Sequence, residues 1–191
     1  MRFLWMIIFV AVTLSAQGCA DSVPSSRARW EMEQGGLVSS GQHGLLLRAQ
    51  SVLARVESGC GTLPLHIAVL TNDAPVAHSF RDGSLYVSTG LMRQFTDEEL
   101  AAALAHELGH LVIDGLVSPE PAALAGVALQ TDDVELHADL LARNILHAHG
   151  LPPAALTTAL EKVAAASRHE SFYQPLVRRM KTLQTLDAQA R

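Results

Sequence analysis

One stretch of the chain decides how it folds: Thr96-Asp97-Glu98-Glu99-Leu100-Ala101-Ala102-Ala103-Leu104-Ala105-His106-Glu107-Leu108-Gly109-His110. Thr96 followed three residues later by Glu99 is a capping box, and an acidic first turn suits the positive end of a helix dipole. Leucine and alanine at helical spacing then form an apolar stripe. The sequence therefore predicts a helix over Asp97–Ile113.

The two histidines of this helix are four positions apart. Residues at this spacing lie on one helix face with Cβ atoms about 5–6 Å apart, so His106 and His110 can bind one metal ion while Glu107 projects beside it. Imidazole suits zinc, and zinc lowers the pKa of a water to about 7. We interpret the histidines as zinc ligands and Glu107 as the general base.

A third ligand is expected from the next acidic helical segment, predicted over residues 132–149. Within it, Glu135 and Asp139 are again four positions apart. One carboxylate can bind the metal while the other accepts a hydrogen bond from the second ring nitrogen of a ligating histidine. We assign Glu135 to the metal and Asp139 to the histidine. His137 is an alternative ligand, although it points about 200° around the helix from Glu135.

Gly109 lies inside the predicted zinc helix, where glycine costs roughly 1 kcal/mol relative to alanine. It indicates a close approach to the backbone, either by a crossing helix or by a site. Periodicity and turn residues elsewhere predict a first helix, a small three-stranded sheet, an apolar connector and two closing helices. In that order, they cover residues 37–56; 65–69, 76–80 and 84–88; 119–130; and 153–167 and 175–188.

The chain resembles a known family at three motifs. The segments 86–91, 96–110 and 135–139 are similar to the gluzincin metallopeptidases of the HtpX and Oma type, and the resemblance covers roughly residues 65–183. It implies an α+β fold, a mostly helical zincin-like domain with the small sheet before the zinc helix. It also implies one Zn²⁺ held by His106, His110 and Glu135, with Glu107 as the general base. In gluzincins an edge strand pairs with the substrate backbone.

Two departures from that family concern the length between the ligands and the last helix. Only 25 positions separate His110 from Glu135 (135 − 110), which indicates a minimal version. The family tends to carry a His-Pro pair and then an arginine, whereas this chain has Gln174-Pro175 and then Arg178-Arg179. The donor for a developing oxyanion is therefore expected from another residue, with Tyr173 and His169 as candidates.

The amino terminus predicts where the protein acts. A twelve-residue apolar run is too short to span a bilayer and reads as a signal peptide over residues 1–18. Gly18-Cys19 resembles a lipobox, which predicts lipidation of Cys19, a flexible tether over residues 19–36 and a metallopeptidase domain over residues 37–191. Ordinary signal cleavage is the alternative. The absence of Asp at residue 20 favours a periplasm-facing outer-membrane lipoprotein. Cys60 is then an unpaired thiol, buried or idle, with a zinc-blocking role as the alternative.

Composition bounds the partners. The net charge is −5 and the chain has no long basic run, which argues against nucleic acid. The expected partners are unfolded or extended polypeptide substrates and, through the lipid on Cys19, a membrane. The predicted function is zinc-dependent endopeptidase activity on unfolded or misassembled envelope proteins. The alternative is a non-proteolytic, metal-containing lipoprotein chaperone. The sequence leaves the oligomeric state open.

Overall fold

The computed structural model describes residues 26–57, 63–118, 133–166 and 170–189. These residues form seven α-helices and one three-stranded sheet, which confirms the predicted mostly helical α+β class. In chain order the elements are α1 (Ser26–Glu33), a 3₁₀ turn (Ser40–Gln42), α2 (His43–Ala54), β1 (His66–Leu70), β2 (Ala77–Ser79), β3 (Ser84–Ser88), α3 (Thr89–Gln94), α4 (Asp97–Ile113), α5 (Val134–Ala148), α6 (Ala154–Ala166) and α7 (Glu170–Gln189).

The sheet has the strand order β1-β3-β2 and lies before α4 in the chain, as predicted. β1 runs parallel to β3, and β2 runs antiparallel to β3. The outer edge of β1 is partly covered, because Val38 N–H donates to Val69 O at 2.9 Å and Thr71 N–H donates to Gly36 O at 2.8 Å. Strand β2 is the other edge of the sheet.

Helix α4 is the centre of the fold and has the predicted bounds, Asp97–Ile113. Its capping box is present, with Thr96 and Glu99 each accepting a backbone N–H of the other. Residues 100–105 are almost wholly buried, and the helix contacts α2, α5, α6 and β2. A Cβ added at Gly109 would lie 2.7 Å from the carbonyl oxygen of Ala138 on α5. Of the two explanations for this glycine, the structure supports a close helix crossing.

Helix α1 is a correction to the sequence interpretation. The sequence predicts a flexible tether over residues 19–36. From Ser26, however, the chain forms helix α1, which packs on the sheet face opposite α4. The ring of Trp30 lies 4.9 Å from that of His78 and 5.2 Å from that of Tyr86. Arg27 Nε donates to the Tyr86 hydroxyl at 2.6 Å. These are tertiary contacts, which cannot be predicted from a short polar segment alone. The predicted helix over residues 37–56 begins later, at His43.

Two boundaries near the carboxyl terminus also differ from expectation. Asp133 caps α5, one residue after the predicted Asp132. Helix α7 begins at Glu170 with Pro175 inside it, so the predicted start at Pro175 is wrong. A proline inside a helix removes one backbone hydrogen bond at a cost of roughly 3 kcal/mol, and buried contacts of Leu176, Arg179 and Leu183 offset that cost.

The predicted connector over residues 119–130 lies outside the described residues. No described helix has the length and apolar character needed to cross a membrane.

Candidate metal centre

Three side chains from two helices converge beside the sheet. His106 and His110 lie one turn apart on α4, and Glu135 lies on the first turn of α5. The two Nε2 atoms are 3.1 Å apart. The Glu135 carboxylate reaches both rings, with Oε2 3.4 Å from His106 Nε2 and Oε1 3.4 Å from His110 Nε2. The close α4–α5 crossing at Gly109 brings these side chains together.

The donor set and spacing fit a zinc ion. Zinc bound by imidazole nitrogen and carboxylate oxygen at roughly 2.0–2.2 Å in tetrahedral geometry places neighbouring ligand atoms about 3.3 Å apart. The three measured separations, 3.1, 3.4 and 3.4 Å, are close to that value. Among the described residues, His106, His110 and Glu135 form a candidate metal-ligating group, because their ligand atoms lie within 4.8 Å of one another. Two imidazoles and one carboxylate are a ligand set that zinc enzymes use with a fourth position left for water or substrate.

Asp139 and Arg179 hold this group in place. Asp139 Oδ1 lies 2.9 Å from His106 Nδ1, which directs the other ring nitrogen toward Glu135. The Arg179 guanidinium donates to both Asp139 oxygens, at 2.6 and 2.7 Å, and to Glu135 Oε2 at 2.9 Å. Asp139 is fully buried and Arg179 is 5% exposed. A buried ion pair with this geometry fixes orientation, because each partner is costly to leave without the other.

The pKa values of the two histidines are shifted in opposite directions. Burial opposes a charge on His106, but its hydrogen bonds to Asp139 and Glu135 outweigh burial and raise the pKa of His106 to about 9. Burial and the neighbouring His106 lower the pKa of His110 to about 4. Near neutral pH the metal-free pair therefore carries one extra proton, and with it one positive charge, on His106. A metal ion would displace that proton, since ligating imidazoles must be neutral.

Glu107 points from α4 toward strand β2 and is 2% exposed. Ser79 Oγ donates to Glu107 Oε2 at 2.7 Å. The other oxygen, Oε1, is buried and has no hydrogen-bond partner among the described residues. Burial is the largest contribution to the raised pKa of Glu107. A buried carboxylate oxygen without a partner, next to the histidine pair, suits a group that accepts a proton during a reaction.

The site opens to solvent on one side. The His106 side chain is 3% exposed, whereas those of His110 and Glu135 are 12% and 27% exposed. The buried side faces Asp139 and Arg179, which orient the ligands. The accessible side therefore lies toward His110 and Glu135. This arrangement would let a substrate reach the histidine pair and Glu135 while Asp139 and Arg179 stay buried.

The remaining candidates from the sequence lie elsewhere. His137 is on α5, but the described metal-ligating group does not include it. Tyr173 is on α7 and is 45% exposed. Its role as an oxyanion donor stays a prediction. His169, Cys19 and Cys60 lie outside the described residues.

Sequence reasoning assigned no role to two residues that contact the site, Arg179 and Ser79. In the sequence, Arg179 stands out only as part of the Arg178-Arg179 pair. Spacing on α7 could have narrowed the choice, since Leu176, Arg179 and Leu183 share a buried helix face while Arg178 is exposed. Ser79 lies in a short strand with no motif of its own, so no sequence signal singled it out.

Comparison with known proteins agrees with this geometry. The model described as peptidase family M48 matches residues 48–131. The matched range contains β1 to α4, with His106, Glu107 and His110. This match supports the predicted zinc metallopeptidase family, while the HtpX or Oma subtype stays a prediction. Glu135, Asp139 and Arg179 lie beyond the matched range, and the structure brings them next to the matched residues. No curated protein matches the chain.

Proposed function

We propose that this protein is a zinc-dependent endopeptidase of family M48 that cleaves unfolded or misassembled proteins of the cell envelope. One observation carries the proposal: three side chains able to bind one dication converge next to a buried glutamate, one oxygen of which has no hydrogen-bond partner in the part of the chain that the structure describes. The three ligands supply a site for an electrophilic metal ion, and Glu107 supplies a base next to that site.

His106, His110 and Glu135 would hold the ion through the two Nε2 atoms and the carboxylate. Asp139 keeps the proton of His106 on Nδ1, which leaves Nε2 free to bind. Arg179 holds Asp139 ionised and restrains Glu135 Oε2. When bound, zinc supplies Lewis acidity for a scissile carbonyl and lowers the pKa of water.

Glu107 is the proton carrier in this proposal. Its Oε1 accepts a proton from the attacking water and later passes it to the amide nitrogen that leaves. Oε2 stays bound to Ser79 throughout, so the two oxygens have different roles. The burial of Glu107 keeps bulk water from competing for that proton, and its raised pKa moves its basicity toward neutral pH.

Strand β2 is the proposed binding site for the substrate backbone. Ser88 N–H donates to Val76 O at 2.9 Å, and Phe80 N–H donates to Ser84 O at 2.8 Å. Because hydrogen-bonded pairs alternate in an antiparallel ladder, Ala77 and Ser79 direct their backbone groups away from β3. An extended peptide can pair with those groups, and pairing through the main chain makes little demand on side chains. Such pairing suits unfolded substrates.

We also propose that the protein is a periplasm-facing lipoprotein anchored through Cys19, more consistent with the outer than the inner membrane. Support comes from the apolar amino-terminal run and the Gly18-Cys19 pair. Mass spectrometry of the mature protein tests this part. A lipid-modified Cys19 at the amino terminus is expected, and an intact signal sequence or a free Cys19 would contradict it.

The alternative function, a non-proteolytic chaperone with a structural metal, is not favoured by the site. Structural zinc sites usually have four protein ligands, whereas the described metal-ligating group has three. The partial exposure of Glu135 and His110 also leaves an approach for substrate.

The proposal is tested by zinc content and by cleavage of an unfolded protein such as reduced casein. Wild type, Glu107→Gln and Glu98→Gln are compared, because Glu98 is an exposed glutamate on the same helix. Wild type and Glu98→Gln should bind one zinc and cleave. Glu107→Gln should bind zinc but lose activity by about 10²–10⁴-fold. Equal activity in all three, or zinc binding without cleavage in wild type, would contradict the proposal.

A further inference from the structure

Ser79 is the last residue of edge strand β2 and faces helix α4. Its hydroxyl donates to Glu107 Oε2 at 2.7 Å and also lies 3.3 Å from the Glu107 backbone oxygen. A hydroxyl has one proton, so the shorter contact to the carboxylate is the hydrogen bond that matters. Within the described residues, this is the side-chain hydrogen bond that the structure gives to the Glu107 carboxylate.

We propose that Ser79 is a positioning residue for the general base. It fixes Oε2 so that Oε1 is the oxygen presented to the attacking water. This inference rests on the proposed peptidase function and assigns a role to a residue outside the metal-binding set.

A glutamate that is held at one carboxylate oxygen loses much of its side-chain freedom. A free glutamate side chain has three rotatable bonds, and its terminal torsion is broad. A charge-assisted hydrogen bond from a strand residue narrows that range, because β2 is itself fixed to β3. Oε1 then lies in a single buried position, with no hydrogen-bond partner from residues 26–57, 63–118, 133–166 or 170–189. Such orientation raises the reaction rate, because the base spends a larger fraction of its time in the geometry that reacts.

The same residue also belongs to the strand proposed to bind substrate. Its backbone groups point away from β3, and both its hydroxyl and its backbone contact the Glu107 carboxylate. A side-chain substitution at Ser79 leaves the backbone groups in place. The inference therefore predicts a change in kcat with little change in KM, which separates base positioning from substrate binding.

The test compares wild type with Ser79→Ala, Ser79→Thr and Ser51→Ala. Threonine keeps the hydroxyl in a strand, and Ser51 is an exposed serine on α2 that serves as the matched control. Zinc affinity, thermal unfolding, kcat and KM on an unfolded protein are measured for each. Ser79→Ala should lower kcat about 10- to 100-fold with unchanged KM and zinc affinity. Ser79→Thr should recover most of the loss, and Ser51→Ala should match wild type.

Binding of a peptide hydroxamate gives a readout that needs no turnover. The hydroxamate hydroxyl offers a proton to a correctly oriented Glu107, so Ser79→Ala should weaken binding on the order of tenfold. Unchanged kcat and hydroxamate affinity in Ser79→Ala would overturn the inference while leaving the peptidase proposal intact. Equal losses in the alanine and threonine variants would also overturn it, since the hydroxyl would not be the cause. No cleavage by zinc-loaded wild type would remove both proposals.

Discussion

Arg179 grips Asp139 with two nitrogen atoms, at 2.6 Å for Nε and 2.7 Å for Nη2, inside the protein core. Asp139, on α5, lies 2.9 Å from Nδ1 of His106, on α4. Arg179, on α7, therefore orients His106 through Asp139. The third contact, from Nη1 to Glu135 Oε2 at 2.9 Å, restrains a second ligand. One residue thus orients ligands from both α4 and α5.

Replacing Arg179 with methionine should destabilise the fold and weaken metal binding. The change leaves Asp139 buried without its partner, which costs about 3–5 kcal/mol in the free energy of unfolding. Urea denaturation and zinc titration measure the two effects. Arg178→Met is the matched control, because Arg178 is the exposed neighbour on the same helix. If the two variants behave alike, Arg179 does not have this role.

Asp139→Asn should reduce zinc affinity by about 10- to 100-fold, the usual cost of losing an orienting partner of a metal ligand. Asparagine keeps the shape but removes the charge, and its amide group would meet the guanidinium of Arg179. Competition with a chelator measures the affinity. Asp73→Asn should have no effect on zinc affinity, because the Asp73 side chain is 95% exposed. An Asp139→Asn protein with wild-type affinity would show that the aspartate is not needed to orient His106.

Gly109→Ala should destabilise the protein by about 1–3 kcal/mol even though alanine favours helices. The added Cβ would lie 2.7 Å from Ala138 O and 3.1 Å from Ala138 Cα. Helices α4 and α5 must then separate, and Glu135 moves away from the histidines, so zinc affinity should fall as well. A Cβ added at Gly44 on α2 meets none of the described atoms within 4 Å, so Gly44→Ala should be neutral or slightly stabilising. Equal stability of both variants would contradict the close crossing.

How much of this could be read from the sequence differs among elements. Helix α4 was predicted with its bounds and capping box because every local signal agrees there. Helix α1 was not, because its packing depends on contacts of Trp30 with His78 and Tyr86 on distant strands. Pro175 misled the prediction of α7, since tertiary packing overrides a local breaker. The spacing of residues identifies the candidate metal ligands. It does not show that Arg179 is the residue whose positive charge pairs with Asp139.

A pH-dependent contribution is expected from Glu99 at the start of α4. Burial opposes its charge, but the hydrogen bond from Lys162 at 2.6 Å and that from Thr96 N–H outweigh burial and hold the pKa of Glu99 below 4.5. A carboxylate with a lowered folded-state pKa stabilises the fold above its unfolded pKa, and this stabilisation is lost as pH falls through the folded pKa.

Glu99→Gln isolates that charge, because glutamine can still complete the capping box. At pH 7 the variant should be less stable than wild type by about 1 kcal/mol, since Lys162 is partly exposed. The difference should shrink as pH falls below about 4. Urea denaturation from pH 3 to pH 7 measures it. A difference that does not change with pH would mean that the Glu99 charge is not the source.

The central claim is that His106, His110 and Glu135 bind one zinc ion and leave a position for substrate. A crystal structure of the zinc-loaded protein, with anomalous data collected at the zinc edge, tests it most directly. The account predicts one ion within about 2.0–2.2 Å of the two Nε2 atoms and a Glu135 oxygen, with no fourth protein ligand. An ion bound elsewhere, or closed by a fourth side chain, would contradict it.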